Sequence, residues 1–127
     1  MHTKIIVYHN PHCSKSRQTL QLLHERGIQP EIIEYLKHPP SPLQLKNILR
    51  LLNMAPRDFM RKKEQQYKDL SLDDAALSAD DLIAAMVKYP ALMERPVVLA
   101  NGKAAVGRPP ENVLGILQVT SLTGDNL

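Results

Sequence analysis

The first 35 residues run through a strand pattern, a helix pattern and a second strand pattern. Residues 3–8 (TKIIVY) are short, apolar and rich in β-branched side chains, which is typical of a buried strand. Residues 14–26 repeat their apolar positions at helical spacing and are followed by Gly27, a helix stop signal. Residues 31–35 (EIIEY) predict the second strand. A strand–helix–strand unit of this length favours parallel strands with a right-handed crossover, and therefore an α/β fold.

Helices dominate the prediction between residues 42 and 90. Ser41 begins the sequence S-P-L-Q, a capping box with proline at the first helical position. Pro56 opens a short helix through residue 61, and Ser78 caps a further helix that ends before Pro90. We therefore expect a helical insertion over about residues 42–90.

The last third of the chain predicts a β-hairpin and a final helix. Residues 97–100 (VVLA) and 103–107 (KAAVG) flank Asn101-Gly102, the strongest short hairpin signal. Pro109-Pro110 then starts a helix. The complete order predicts one thioredoxin-like α/β domain over residues 1–118: a βαβ unit, the helical insertion, the hairpin and a C-terminal helix. Residues 119–127 are expected to form a flexible tail.

Composition excludes several classes of protein. With 127 residues and 43% apolar side chains, the chain can bury a core without disulfides or metals. It shows neither the ~20 consecutive apolar residues of a membrane span nor the pattern of a secretory leader, so we expect a cytoplasmic protein with no membrane partner. We also expect a monomer. The net charge is only +3 and the basic residues are scattered, which argues against a nucleic-acid partner.

The chain has one cysteine, Cys13, and this limits its chemistry. One thiol cannot form an internal disulfide or a dithiol centre, so any redox role needs a thiol from outside the chain. Cys13 lies where the first strand passes into the first helix, and a helix N-terminus favours an anion. A helix end supplies only about 0.3–1 kcal/mol, or ~2 kcal/mol in good geometry. Further positive charge would have to come from His9, Arg95 or Arg108.

Strand direction brings these distant positions together. If the third strand runs antiparallel to the first, Arg95-Pro96 lies at the same sheet edge as Cys13. The fourth strand reverses again, so Arg108 follows its end at that edge, where ligand sites of α/β sheets are favoured. Pro96, before a strand and facing the thiol, is also a candidate for a cis peptide bond.

Each of these residues also has a simpler interpretation. Cys13 would be inert if it were packed as a small apolar residue. Ser14 and Ser16 would satisfy free helical N–H groups, or Ser16 would replace the second cysteine of a dithiol motif and donate a hydrogen bond to the thiolate. Arg61 lies in a run of three basic residues that is typical of a solvated surface. His9 and His12 have poor zinc spacing, so we expect no metal.

Three segments resemble the glutaredoxin-dependent arsenate reductase family: YHNPHCSKSRQTL at 8–20, FMRKKEQQY at 59–67 and MERPVVLANGKAAVGRPPE at 93–111. The resemblance covers about residues 4–118. It implies a thioredoxin-like fold with a helical insertion, a nucleophilic Cys13, and a histidine at position 9, beside Asn10, that lowers the thiol pKa. It also implies that an oxyanion is bound by three arginines, which correspond to Arg61, Arg95 and Arg108.

The implied reaction begins when the thiolate attacks arsenate and displaces hydroxide. Glutathione then adds as co-substrate, glutaredoxin takes up the glutathione in a mixed disulfide, and arsenite leaves. No bound cofactor is expected. His12 and Ser16 depart from the family pattern and suggest a branch whose physiological substrate differs.

Two other functions remain open. One is a regulator that binds RNA polymerase, like Spx-type proteins of this fold, although Ser16 breaks their usual Cys-x-x-Cys switch. The other is a monothiol oxidoreductase that acts on glutathione mixed disulfides without an oxyanion substrate.

Overall fold

The computed structural model describes residues 4–117. The N-terminal and C-terminal thirds of the chain form one four-stranded sheet. The strands are β1 (Ile6–His9), β2 (Glu31–Glu34), β3 (Val97–Ala100) and β4 (Lys103–Val106). Their order in the sheet is β2-β1-β3-β4. The chain divides into two compact units, the first from the described parts of Met1–Ile33 and Arg95–Leu127 and the second from Glu34–Glu94.

Antiparallel pairing aligns three strands of the first unit. Tyr8 of β1 lies opposite Val97 of β3, and Val97 lies opposite Val106 of β4. The predicted hairpin is confirmed, because Asn101 and Gly102 both have positive φ (54° and 72°), as a tight two-residue turn requires. β3 runs antiparallel to β1, which is the condition on which the expected common sheet edge depended.

Helix α1 (Ser14–Glu25) and the C-terminal residues pack against this sheet. A 3₁₀ turn over Pro110–Val113 leads into the short helix α5 (Leu114–Leu117), which is therefore less regular than the predicted final helix. The core of the first unit is aliphatic, and its fully buried members are Val7, Leu23, Val98 and Val113. Burying each such side chain contributes about 1.5–3 kcal/mol.

The second unit is helical and contains α2 (Pro42–Leu52), α3 (Gln65–Asp69) and α4 (Ala79–Lys88). Both predicted caps are present: Ser41 Oγ accepts the Gln44 N–H and Ser78 Oγ accepts the Asp81 N–H, each at 3.1 Å. The helical elements predicted between residues 42 and 90 lie within this unit. Its core includes the fully buried Phe59 and Met86.

Several predicted boundaries were wrong. β1 begins at Ile6 and continues through His9, which was predicted to lie in the following loop. The helix from Pro56 is a 3₁₀ turn that ends at Phe59, because Met60 pairs with Met93 in an isolated β-bridge. Helix α3 was not predicted, since five mostly polar residues carry no periodic signal. The tail at 119–127 lies outside the described residues.

Across residues 4–117, none of the helices has the length and apolar character needed to cross a membrane.

Candidate active site

A tight turn leads from β1 to Cys13. The Cys13 N–H donates to the Asn10 carbonyl at 3.0 Å, and the His12 N–H donates to Asn10 Oδ1 at 2.9 Å. The first two positions of this turn are Asn10 and Pro11. β-turns favour asparagine at the first position and proline at the second. The turn places Cys13 at the N-cap of α1, where its carbonyl accepts the Arg17 N–H at 3.0 Å.

Hydrogen bonds to the Cys13 sulfur stabilise the anionic form of the thiol. Burial raises the pKa of the thiol, but the Ser16 backbone N–H, the Arg95 guanidinium and the Lys15 backbone N–H outweigh burial and lower the pKa overall. Cys13 is 8% exposed. These contacts distinguish it from a cysteine packed as an inert apolar residue, and they make it a candidate nucleophile.

Arg95 supplies the positive charge beside this sulfur. It lies two residues before the start of β3 and donates a hydrogen bond to Cys13. Among the residues that the structure describes, no group accepts the N–H of its buried Nε atom. A guanidinium offers several donors in one plane, so Arg95 can contact the sulfur and still present a donor to a bound oxyanion.

The sheet edge brings the predicted positions together in the first unit. Because Tyr8, Val97 and Val106 are in register, the residues that follow β1, precede β3 and follow β4 all lie at one edge. These residues include Cys13, Arg95 and Arg108, as the strand directions predicted. Arg108 is exposed. The Arg95-Pro96 peptide bond is cis, and so is the unpredicted Arg108-Pro109 bond.

His9 is linked to the start of α1 through the Ser16 hydroxyl. His9 Nδ1 lies 2.6 Å from Ser16 Oγ, which also accepts the Asn10 N–H at 3.0 Å. His9 is 7% exposed and Ser16 is fully buried. The Ser16 group that reaches the sulfur is therefore its backbone N–H, whereas the sequence suggested its hydroxyl. Ser14 is exposed at the first position of α1.

Gly107 was not among the predicted site residues, yet it lies where the end of β4 meets α1. Its N–H donates to the Pro96 carbonyl at 2.9 Å. A Cβ atom at this position would lie 2.5 Å from Thr19 Oγ1 and 2.9 Å from Pro96 Cγ. The close approach of Gly107 to Thr19 left no local signal in the sequence.

Arg61 belongs to the second unit and has carboxylate neighbours there. Its Nη1 lies 3.5 Å from Glu64 Oε2, and its Nε lies 4.0 Å from Glu94 Oε1. Its backbone N–H donates to the Leu92 carbonyl at 2.7 Å. The side chain is 24% exposed, and its predicted oxyanion role stays a prediction.

No group of three or more His, Cys, Asp or Glu side chains within the described range 4–117 could hold a metal ion.

The chain is similar to known proteins in both sequence and structure. Residues 8–116 match the ArsC family. The chain is 52% identical over 115 residues to the arsenate reductase of Neisseria meningitidis serogroup A, covering 90% of this chain and 98% of that protein. It is also 52% identical over 118 residues to the uncharacterized protein YfgD of Escherichia coli strain K12, covering 92% and 99%.

The structure of an arsenate reductase from Vibrio cholerae superposes with a TM-score of 0.89 at 50% identity. That similarity covers 92% of this chain and all of the other. Together with the element order, it confirms the predicted thioredoxin-like α/β fold.

Proposed function

Because this chain belongs to the ArsC family, we propose that it reduces arsenate to arsenite, with Cys13 as the nucleophile. The observation that carries the proposal is that the Arg95 guanidinium and two helical N–H groups contact the Cys13 sulfur, which lowers the pKa of the thiol. A thiolate is the reactive form of cysteine, and an arginine beside it attracts an anionic substrate. Two relatives at about 50% identity over most of their length are named arsenate reductases.

The arginines are proposed to hold the oxyanion. Arg95 and Arg108 flank the sheet edge that carries Cys13, and paired guanidinium donors match the oxygens of a tetrahedral anion. Arg61 is the third proposed ligand, by its match to the family motif. Phosphate has the same shape and would compete for the arginines. Only arsenic(V) accepts two electrons from thiols, so the redox step provides the discrimination.

The first proposed step forms a sulfur–arsenic bond. The Cys13 thiolate attacks arsenate, and one oxygen leaves as hydroxide, which is protonated to water. Arsenic remains in the +5 state in this adduct. Lys15 and Ser16 stabilise the attacking sulfur through their backbone N–H groups, and the turn set by Asn10 fixes its position.

Reduction requires two thiols from outside the chain, because Cys13 is its only cysteine. We propose that glutathione replaces a second oxygen of the adduct, again with loss of water, to give an arsenic(V) atom bound to two sulfurs. A glutaredoxin thiolate then attacks the glutathione sulfur. The arsenic–sulfur electron pair passes to arsenic, which becomes arsenic(III), and glutathione leaves in a mixed disulfide. Water finally cleaves the Cys13–arsenic bond and releases arsenite and the thiol.

The neighbouring residues have positioning roles in this proposal, and the lowering of the thiol pKa by His9 stays a prediction from the family resemblance. His9, Asn10 and Ser16 form one hydrogen-bonded group that joins the end of β1 to the first turn of α1. Pro96 joins Arg95 to β3 and accepts the Gly107 N–H. Ser14 begins the helix whose N-terminus faces the thiolate. Glutathione dependence implies a reducing compartment, so the proposal includes a cytoplasmic location.

The test is arsenate-dependent oxidation of NADPH, coupled through glutathione, glutaredoxin and glutathione reductase. We expect turnover with the wild type and none with Cys13→Ser. Omitting either glutathione or glutaredoxin should also stop the reaction. A folded wild-type protein that reduces glutathione mixed disulfides in the same assay mixture but leaves arsenate unchanged would contradict the proposal. That result would favour the monothiol oxidoreductase.

A further inference from the structure

A short antiparallel pairing in the second unit holds the backbone of Arg61. The Arg61 N–H donates to the Leu92 carbonyl at 2.7 Å. The Glu94 N–H donates to the Phe59 carbonyl at 3.0 Å, and the two bonds lie on either side of an isolated β-bridge. In this register Phe59 lies opposite Glu94, so Arg61 is the diagonal neighbour of Glu94. Long side chains reach across such a diagonal, and the backbone pairing therefore brings the Glu94 carboxylate to Arg61.

A second carboxylate comes from the turn that follows Arg61. The Glu64 N–H donates to the Arg61 carbonyl at 3.2 Å, which closes the turn. Glu64 Oε2 lies 3.5 Å from Arg61 Nη1, and Glu94 Oε1 lies 4.0 Å from Arg61 Nε. The side chains of Arg61, Glu64 and Glu94 are 24%, 28% and 32% exposed, so water screens these ion pairs only in part. Two segments that are distant in sequence thus each contribute one carboxylate to Arg61.

The two carboxylates restrain the Arg61 guanidinium but leave it donors for an anion. Hydrogen bonds between oppositely charged groups are about 2.7–2.9 Å long, so both contacts are looser ion pairs. A guanidinium has five N–H donors, and the ion pairs are made by Nε and Nη1. The second terminal nitrogen, Nη2, is the one that remains for an oxyanion. Because a free arginine side chain loses much rotamer freedom when a ligand fixes it, an arginine that is already held binds at a lower entropic cost.

We propose that Glu64 and Glu94 are positioning residues, which hold the Arg61 guanidinium ready for the oxyanion substrate. The inference rests on the proposed function, since that function makes Arg61 an oxyanion ligand. Neither carboxylate takes part in a bond-forming step. Their negative charge by itself repels an anion, so they favour substrate binding only through the placement of Arg61.

This repulsion gives the test a definite sign. If the carboxylates position Arg61, removing their charge weakens oxyanion binding. If they are only counter-ions of Arg61, removing their charge strengthens oxyanion binding, because an anion then meets less negative charge.

The first test measures binding without turnover. Sulfate is a tetrahedral oxyanion, and its Kd follows from the protection of Cys13 against alkylation by iodoacetamide. The variant that combines Glu64→Gln with Glu94→Gln should raise the Kd for sulfate about fivefold, the effect of losing partly exposed ion pairs. The matched control is Asp73→Asn, which removes an exposed carboxylate of the same unit and should leave the Kd unaltered.

The second test asks whether the carboxylates act through Arg61. In an Arg61→Ala background, Glu64→Gln with Glu94→Gln should not raise the Kd for sulfate further, because the group that they position is absent. A general disturbance of the fold would instead raise the Kd in both backgrounds. In the coupled arsenate assay, the same pair of changes in the wild-type background should raise KM for arsenate about fivefold and leave KM for glutathione unchanged.

The two tests separate failure of the positioning role from failure of the proposed function. If sulfate binding changes as expected but arsenate is not reduced, the positioning proposal stands and the reductase proposal falls. If arsenate is reduced but the variant with both Glu→Gln changes binds sulfate as well as the wild type or better, the positioning proposal is overturned. An equal rise in Kd with and without Arg61 would overturn it as well.

Discussion

The backbone N–H of Gly107 donates a 2.9 Å hydrogen bond to the carbonyl of Pro96. This bond joins the residue that precedes Arg108 to the residue that follows Arg95. The backbone residues next to the two arginines are therefore hydrogen-bonded directly to each other. The missing side chain of Gly107 also lets the end of β4 approach Thr19 on the helix that carries Cys13.

We predict that Gly107→Ala destabilises the protein. The new Cβ would lie 2.5 Å from Thr19 Oγ1 and 2.9 Å from Pro96 Cγ, so the backbone or both neighbours must move. Such overpacking costs about 1–3 kcal/mol. Urea unfolding measures the loss, and sulfate binding by the folded variant should weaken because Arg95 and Arg108 are displaced.

Gly115→Ala is the matched control, since its Cβ would meet nothing within 4 Å and the residue is in helix α5. It should leave stability equal or raise it by about 0.5–1 kcal/mol. If the two variants had the same stability, close approach at Gly107 would not matter. Thr19→Ala in the Gly107→Ala background should recover part of the loss, because it removes the nearer of the two clashing atoms.

Arg95→Ala is expected to raise the pKa of the Cys13 thiol. Burial already raises this pKa, and Arg95 opposes burial both as a hydrogen-bond donor and as a charge. The rate of iodoacetamide alkylation measured against pH gives the thiol pKa. Arg95→Lys should lie between the wild type and Arg95→Ala, since it keeps the charge but loses the planar donors.

Arg108→Ala is the variant with which the effect of Arg95→Ala on the thiol pKa is compared. Its guanidinium is exposed, so its removal should alter the thiol pKa less than removal of Arg95 does, while still weakening sulfate binding. An unchanged alkylation profile in Arg95→Ala would show that the helical N–H groups alone set the pKa.

The lowered thiol pKa also predicts how stability depends on pH. In the range between the lowered pKa of folded Cys13 and its higher pKa in the unfolded chain, the unfolded state binds more protons, so stability rises with pH. The contribution is fully present above the unfolded-state pKa and is lost as pH falls through the folded-state pKa. The free energy of unfolding of the wild type minus that of Cys13→Ser, measured by urea titration at several pH values, should increase with pH across this range. A difference that is constant with pH would argue against a stabilised thiolate.

Ser16→Ala should destabilise the fold and change the thiol pKa little. It removes the hydroxyl that lies 2.6 Å from His9 Nδ1 and accepts the Asn10 N–H, leaving buried polar groups without this partner. The cost is about 1–3 kcal/mol. The sulfur keeps its contact, because that contact is to the Ser16 backbone. A double-mutant cycle with His9→Ala, followed by urea unfolding, should give a positive coupling energy. A large shift of the alkylation pKa in Ser16→Ala would instead mean that the hydroxyl acts on the thiolate.

The sequence was sufficient to place Cys13, Arg95 and Arg108 at one edge of the sheet, because that placement depended on strand direction. Asn101-Gly102 fixes a tight reversal between β3 and β4, and the strand-to-helix passage fixes Cys13 at a helix start. Both signals are local. The capping boxes at Ser41 and Ser78 were predictable for the same reason.

Contacts between distant segments were not predictable in the same way. The approach of Gly107 to Thr19 depends on how closely β4 packs on α1, and no nearby residue encodes that distance. The direction of the Ser16 hydroxyl depends on the position of His9, which was predicted to lie outside the strand. The role of Arg61 came from the family resemblance, since a basic run by itself indicates only a solvated surface.

Arg61→Ala should therefore separate substrate binding from activation of the thiol. We expect kcat/KM for arsenate to fall roughly tenfold or more, the effect of losing a charge-assisted hydrogen bond to the substrate. The alkylation pKa of Cys13 should not change, because the guanidinium that lowers it belongs to Arg95. Lys62→Ala, which removes a neighbouring exposed charge, is the control. Equal kinetics in Arg61→Ala and Lys62→Ala would remove Arg61 from the oxyanion site and leave its contacts with Glu64 and Glu94 as its only role.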